Sequence, residues 1–211
     1  MSARTDRRAV FSGWALLATL ALPPVGAALE SSMTGHMLVQ LPMLALAGGL
    51  IARGSAGAKG CPALGFNAGG VAGLLLAAFA LACWMLPRSL DAALTHAAVE
   101  AAKFIFVPLL VGASLAVSWP IAGPLARGLA WAHLIAMLAT LGWVYQAAPV
   151  RLCVGYRLDQ QETLGWALLG GAVLLAAALA ARAFTGPMAR PGSAAAERSG
   201  FARPLGAKRS P

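Results

Sequence analysis

Charged side chains are scarce in this chain. They make up 11% of its 211 residues, where a soluble domain carries about a quarter, so a water-facing globular surface is excluded over most of the length. Cysteine is scarce too: Cys61, Cys83 and Cys153 stand far apart with no CxxC pair, which removes the usual zinc and thiol-redox signatures. Cys153, alone in a loop, reads as a small apolar filler. Catalytic signatures are missing. There is no Ser/His/Asp arrangement, no HExxH and no phosphate-cradling loop. The glycine-rich "GGLIARGSAGAKG" lacks a GK[ST] ending and reads as a flexible loop. An enzyme is therefore not expected. Nor does any inverted repeat or pair of broken helices mark a secondary transporter.

Apolar residues are abundant, at 59%, and they recur in runs of about 20, the length that crosses some 30 Å of hydrocarbon. Six runs stand out: Ala9–Leu29, His36–Ala52, Phe66–Leu86, Ala97–Trp119, Leu125–Ala147 and Thr163–Phe184. The expected fold class is all-α, a polytopic transmembrane helical bundle of about six spans. It divides into a cytoplasmic N-terminus at 1–8, the bundle at 9–185 and a disordered basic tail at 186–211. The first run, "TDRRAVFSGWALLATLALPPVGAALE", also has the basic start and small residues of a signal peptide. Its apolar stretch exceeds the usual 7–15 residues, so a retained helix is the reading taken. Cleavage would leave five spans with the same orientation.

The basic residues orient the bundle. Arg4, Arg7, Arg8, Arg53, Lys59 and Arg127 fall on one side, with Arg182 at the end of the last run and the five that follow it. Only Arg88, Arg151 and Arg157 fall on the other, where Glu30, Asp91, Asp159 and Glu162 balance them. By the positive-inside rule both termini are cytoplasmic. Cys61 is then cytoplasmic and Cys153 outside, so no disulfide joins them. The net charge of +9 is explained by anionic lipid beside the tail, and no nucleic-acid partner is implied.

Polar residues inside such a chain are informative, because ionisable groups in a span are costly and face a partner or a cavity. In "SSMTGHMLVQLPML", Met33, His36, Met37 and Gln40 are spaced i, i+3, i+4, i+7, one helical face. Met85 closes the third run at the same level and Asp91 follows in the outer loop, where it could cap the next helix. His96, Glu100 and Lys103 run inward on one face of the fourth span. Glu100 and Lys103, at i and i+3, are placed to pair with each other, for structure or for function. Asp159 and Gln160 precede the last span. His133, midway along the fifth, is expected to make an interhelical hydrogen bond. All of these except His133 converge on the outer side.

The segments "SMTGHMLVQLPMLALAGG", "WMLPRSLDAALTHAAVEAAKFIFVPLLVGASLAVSWP" and "YRLDQQETLGWAL" resemble, in order, the CtaG family of cytochrome c oxidase assembly factors. The resemblance covers Ser31 to Trp166. It departs from the family pattern where histidines are usual: Ser32, Met85, Glu100 and Phe104 stand there instead. What the resemblance implies is an accessory factor for haem-copper oxidase assembly in a bacterial inner (cytoplasmic) membrane. Such a factor handles or delivers copper at the outer face, with an oxidase subunit or a copper chaperone as partner.

Thioether and imidazole ligands suit Cu(I). Met33, His36, Met37, Met85 and His96 are the candidate ligands. Asp91 or Glu100 could orient an imidazole, with Lys103 and Asp159 as further polar neighbours. Met137, inside the fifth span, stands apart from this set. A b-type haem protein, with His36 and His96 as axial ligands, a copper permease, and a structural subunit without ligand are the rival readings.

Overall fold

The computed structural model describes residues 3–55 and 67–185. Cys61, Lys59 and the tail at 186–211 lie outside the described residues. The described residues are 86% helix, with no strand among them. In order the helices are α1 (Ala3–Leu20), α2 (Pro23–Glu30), α3 (Gly35–Ser55), α4 (Ala68–Trp84), α5 (Pro87–Thr95), α6 (Ala97–Ser118), α7 (Pro124–Ala147) and α8 (Leu158–Thr185).

Four helices, α3, α6, α7 and α8, are each long and apolar enough to cross a membrane. Two further spans exist if each of two bent pairs counts as one: α1 with α2, bent by 70°, and α4 with α5, bent by 67°. Proline causes both breaks. Pro23 and Pro24 follow α1, and Pro87 follows Leu86, whose extended backbone is the conformation that the residue before a proline prefers. The first apolar run is thus a bent element rather than one straight helix, and its helix begins at Ala3, within the segment expected to be an N-terminal extension. The third run is followed by a separate short helix, α5, that buries Leu90 and Ala93.

Two helices carry π segments, Gly35–Gln40 in α3 and Val107–Ala113 in α6. Their i→i+5 bonding widens the turn locally, a feature frequent at functional sites. Pro108 lies in the second segment, where its missing N–H costs an α-helical bond anyway.

Small residues set the helix crossings, as expected where lipid offers no hydrophobic drive for association. A Cβ on Gly48 would lie 1.9 Å from the Pro108 carbonyl oxygen, and one on Gly112 would lie 2.0 Å from that of Ala45. The α3 and α6 backbones are therefore in contact. Gly13 of α1 meets Ala47 and Ile51 of α3 in the same way, and Gly142 of α7 meets Gly165 of α8.

The α2–α3, α5–α6 and α7–α8 connections share one end of the bundle: Asp91 accepts from Val154 N–H, and Gln160 donates to the Ser31 carbonyl. At the other end Asn67 donates to Ser118 Oγ, and Arg127 donates to the carbonyls of Trp119 and Pro120.

Candidate functional site: a buried polar network beside a sulfur cluster

Met33, just before α3, and His36, Met37 and Gln40 of its π segment are all in the interior. The four do not act as one surface. Met33 and Met37 turn into an apolar cluster with Met85, Leu90, Tyr145, Cys153, Tyr156, Leu164 and Leu168. His36 and Gln40 instead meet the side chain of Lys103 from α6.

Lys103 is only 1% exposed. A buried ammonium must be paired and hydrogen-bonded. Its Nζ donates to Glu30 Oε1 at 2.5 Å, to Gln40 Oε1 at 3.0 Å and lies 3.3 Å from His36 Nε2. Since an ammonium only donates, Nε2 accepts and the imidazole is neutral with its proton on Nδ1. That Nδ1 lies 2.9 Å from Tyr156 Oη, so it donates to the phenol. Gln40 Nε2 donates to Glu30 Oε1 at 2.9 Å. No buried side-chain nitrogen or oxygen among the described residues is left without a partner.

The expected Glu100–Lys103 pair does not form. Glu30, at the C-terminus of α2, takes the place of Glu100, which is half-buried and outside the network. The reason is direction: the bend before Pro23 turns α2 so that Glu30 reaches Lys103. Lys103 itself points into the bundle.

Tyr156 is delivered by the α7–α8 loop, and Asp91 holds that loop. The Asp91 carboxylate accepts from Val154 N–H at 2.8 Å and from Gly155 N–H at 3.2 Å. Gln161 of α8 accepts from Leu152 N–H and donates to the Tyr145 carbonyl. Asp91 therefore bonds no imidazole; it holds the loop from which Tyr156 meets His36 Nδ1. The Cys153 Sγ donates to the Pro87 carbonyl. Burial pushes its thiol pKa up to about 12, with a further contribution from Asp91.

The other candidates lie elsewhere. His96 is exposed at the break between α5 and α6, with Nδ1 2.8 Å from Thr95 Oγ1, outside the buried network and the sulfur cluster. Asp159 is exposed and pairs only with Arg157. His133 is exposed on α7 and its side chain makes no hydrogen bond to a described residue, in place of the expected interhelical bond. With Arg53, Trp119 and Trp131 it lines an apolar groove between helices. Met137 packs against the sulfur cluster rather than apart from it.

Among the described residues no group of three His, Cys, Asp or Glu side chains converges as a metal site. Three thioethers, Met33, Met37 and Met85, do share one buried cluster, and Tyr145 Oη donates to Met37 Sδ at 3.7 Å. Reading the sequence missed Glu30, Tyr145, Tyr156 and Gln161. A single signal was available for Glu30: an unpaired lysine in a span needs a carboxylate, and Glu30 is the acid that precedes the α3 motif.

The described residues thus define an all-helical bundle of membrane-spanning character with a closed polar network at one end. No protein family, curated protein or solved structure matches the chain.

Proposed function

We propose that this protein is an accessory membrane factor for cytochrome c oxidase assembly that handles copper, as Cu(I), at the outer face of a bacterial inner membrane. The observation that carries the reading is the meeting of Met33, Met37 and Met85 in one buried cluster. Soft thioethers select Cu(I), and three of them from two separate helical elements give a low-coordinate site suited to handing the ion on. The segments that resemble the assembly factors contain all three. On the reading in which both bent pairs count as spans and the basic residues hold both termini in the cytoplasm, this cluster belongs to the outer side. The copper reading therefore moves from His36, whose two ring nitrogens are engaged by Tyr156 and Lys103, to the sulfurs. Copper reaches them by displacement of the loop that carries Cys153 and Tyr156.

The closed His36–Lys103 network favours one other reading, a structural subunit without ligand. Cu(I) titration against a competing chelator separates the two. Wild type takes up Cu(I), the Met33→Leu/Met37→Leu/Met85→Leu variant loses it, and replacement of the half-exposed Met43 changes nothing. Equal uptake by wild type and the triple variant, or none by either, overturns the copper role. A reporter inserted near Val154 that reads cytoplasmic overturns the orientation.

A further inference from the structure

An apolar groove of about 490 Å³ lies between α3, α4, α6 and α7. Its size is in the range of about 300–1,000 Å³ usual for small-molecule sites. Along α3 it runs from Pro42 to Arg53, about 16 Å at a rise of about 1.5 Å per residue. That is close to half of the roughly 30 Å of hydrocarbon, the depth of one leaflet. Gly49 and Gly112 both line it and carry no side chain to fill it. A Cβ on Gly49 would already stand 3.4 Å from the Gly112 carbonyl and 3.8 Å from Ala116 Cβ.

The polar groups of the lining gather towards the Arg53 end. Arg53 and His133 are its ionisable side chains, both exposed, and no acid lines it among the described residues. The ion pairs of the described residues, Lys103–Glu30 and Arg157–Asp159, involve neither. Trp119 and Trp131 stand beside them, edge to face with ring centroids 5.5 Å apart. Arg127 lies 5.9 Å over the Trp119 ring while it donates to the Trp119 and Pro120 carbonyls. Tryptophan settles at headgroup level. His133 lies deeper, about two and a half turns into α7 from Pro124, where an imidazole needs a partner. Basic pockets between transmembrane helices bind anionic lipid headgroups.

We propose that the groove binds one anionic phospholipid, with its phosphodiester on the Arg53 guanidinium, an ester carbonyl accepting from the His133 imidazole, and one acyl chain laid over Gly49 and Gly112 towards Pro42. The charge of Arg53 selects the headgroup, since a guanidinium bonds two phosphate oxygens at once. The length selects a lipid over a partner helix. The groove ends at about the depth of one leaflet, whereas a spanning helix follows the full hydrocarbon thickness. This does not rest on the copper reading, because the headgroup end is the end of α3 away from His36.

The test is native mass spectrometry of the full-length protein in mild detergent, with phosphatidylglycerol or phosphatidylcholine added. The two lipids share acyl chains and differ in headgroup charge. Wild type retains a single phosphatidylglycerol in preference to phosphatidylcholine. Arg53→Gln lowers phosphatidylglycerol retention by about fivefold, the weight of one basic residue beside anionic lipid, and leaves phosphatidylcholine unchanged. Arg53→Lys, which keeps the charge, restores most of the loss. Arg88→Gln, which removes an exposed arginine outside the groove, changes neither lipid. Ala130→Phe puts a ring into the groove and lowers retention of both.

Melting is followed with and without phosphatidylglycerol. A lipid bound only to the folded state raises the melting temperature of wild type, and raises that of Arg53→Gln less. Equal retention of the two lipids by wild type overturns the proposal, because the lipid is then an unselected boundary layer. So does an Arg53→Gln protein that behaves as Arg88→Gln does. Undiminished retention by folded Ala130→Phe overturns the groove as the seat of the lipid. If Ala130→Phe does not fold, Ala78→Leu on the α4 wall fills the same groove and is read the same way.

Discussion

The same two helices, α3 and α6, meet in two different ways along their length. At one end His36 and Gln40 reach across to Lys103 through long side chains. Further along, Gly48 and Gly112 let the backbones touch, with Pro108 and Ala45 carbonyls where side chains would be. The polar end fixes which residue faces which, because Lys103 Nζ meets three different acceptors there. The glycine end fixes how close the helices come. The lysine buried at the first lies on the same helix pair that the second holds in backbone contact. Small-residue packing and polar pairing are alternative means of joining helices in lipid, and this pair uses both in series.

The comparison breaks most severely at the polar end. Lys103→Met or Glu30→Gln, each alone, should cost about 3–5 kcal/mol, because a buried charge loses its partner. The double replacement should cost less than either single one. Unfolding of all three variants in detergent checks this, and equal small losses would show that the pair is hydrated.

The glycine end should follow. Gly48→Ala places a methyl group against a carbonyl oxygen of rigid backbone, where overpacking costs up to about 3 kcal/mol. Gly170→Ala, with nothing within 4 Å of the added atom, is the matched control and should leave stability unchanged or slightly raised.

Next in size is the loop anchor. Asp91→Ala removes two hydrogen bonds to a carboxylate, a loss of about 1.5–3 kcal/mol for such bonds, and frees the segment that carries Cys153 and Tyr156. Cys153 is buried and its thiol is raised to about 12. Alkylation should therefore be slow in wild type at pH 8 and faster in Asp91→Ala. The sign for stability is the same as for any acid with a raised folded pKa: the folded state holds the proton longer. Stability is full below the unfolded thiol value and falls as pH rises from there towards about 12. A wild-type thiol that alkylates as fast as an unfolded one would place the loop outside the core.

The smallest effect sharpens the comparison rather than breaking it. Glu100→Gln should change stability by no more than about 0.5 kcal/mol, as for a residue outside any network. A loss as large as that of Glu30→Gln would restore Glu100 as the partner of Lys103.

Apolar runs of about 20 residues determined by themselves that the chain is helical and of membrane-spanning type, because backbone groups in hydrocarbon must be satisfied within the segment. The runs at α3, α6, α7 and α8 were legible to within a few residues for this reason. The two proline breaks were legible only as residues. Their angles of 70° and 67° depend on what each short helix packs against. The spacing of Met33, His36, Met37 and Gln40 announced one helical face; that all four are buried came with the structure.

Only the tertiary structure decided which of the four face sulfur and which face Lys103. A π segment shifts the turn, and no periodicity in the sequence encodes that. Only the tertiary structure gave Lys103 its partner. Local spacing offers Glu100 at i−3, while Glu30 lies 73 positions away along the chain. A buried charge is paired by whichever group the fold aims at it, and aim is a property of packed helices rather than of sequence neighbours.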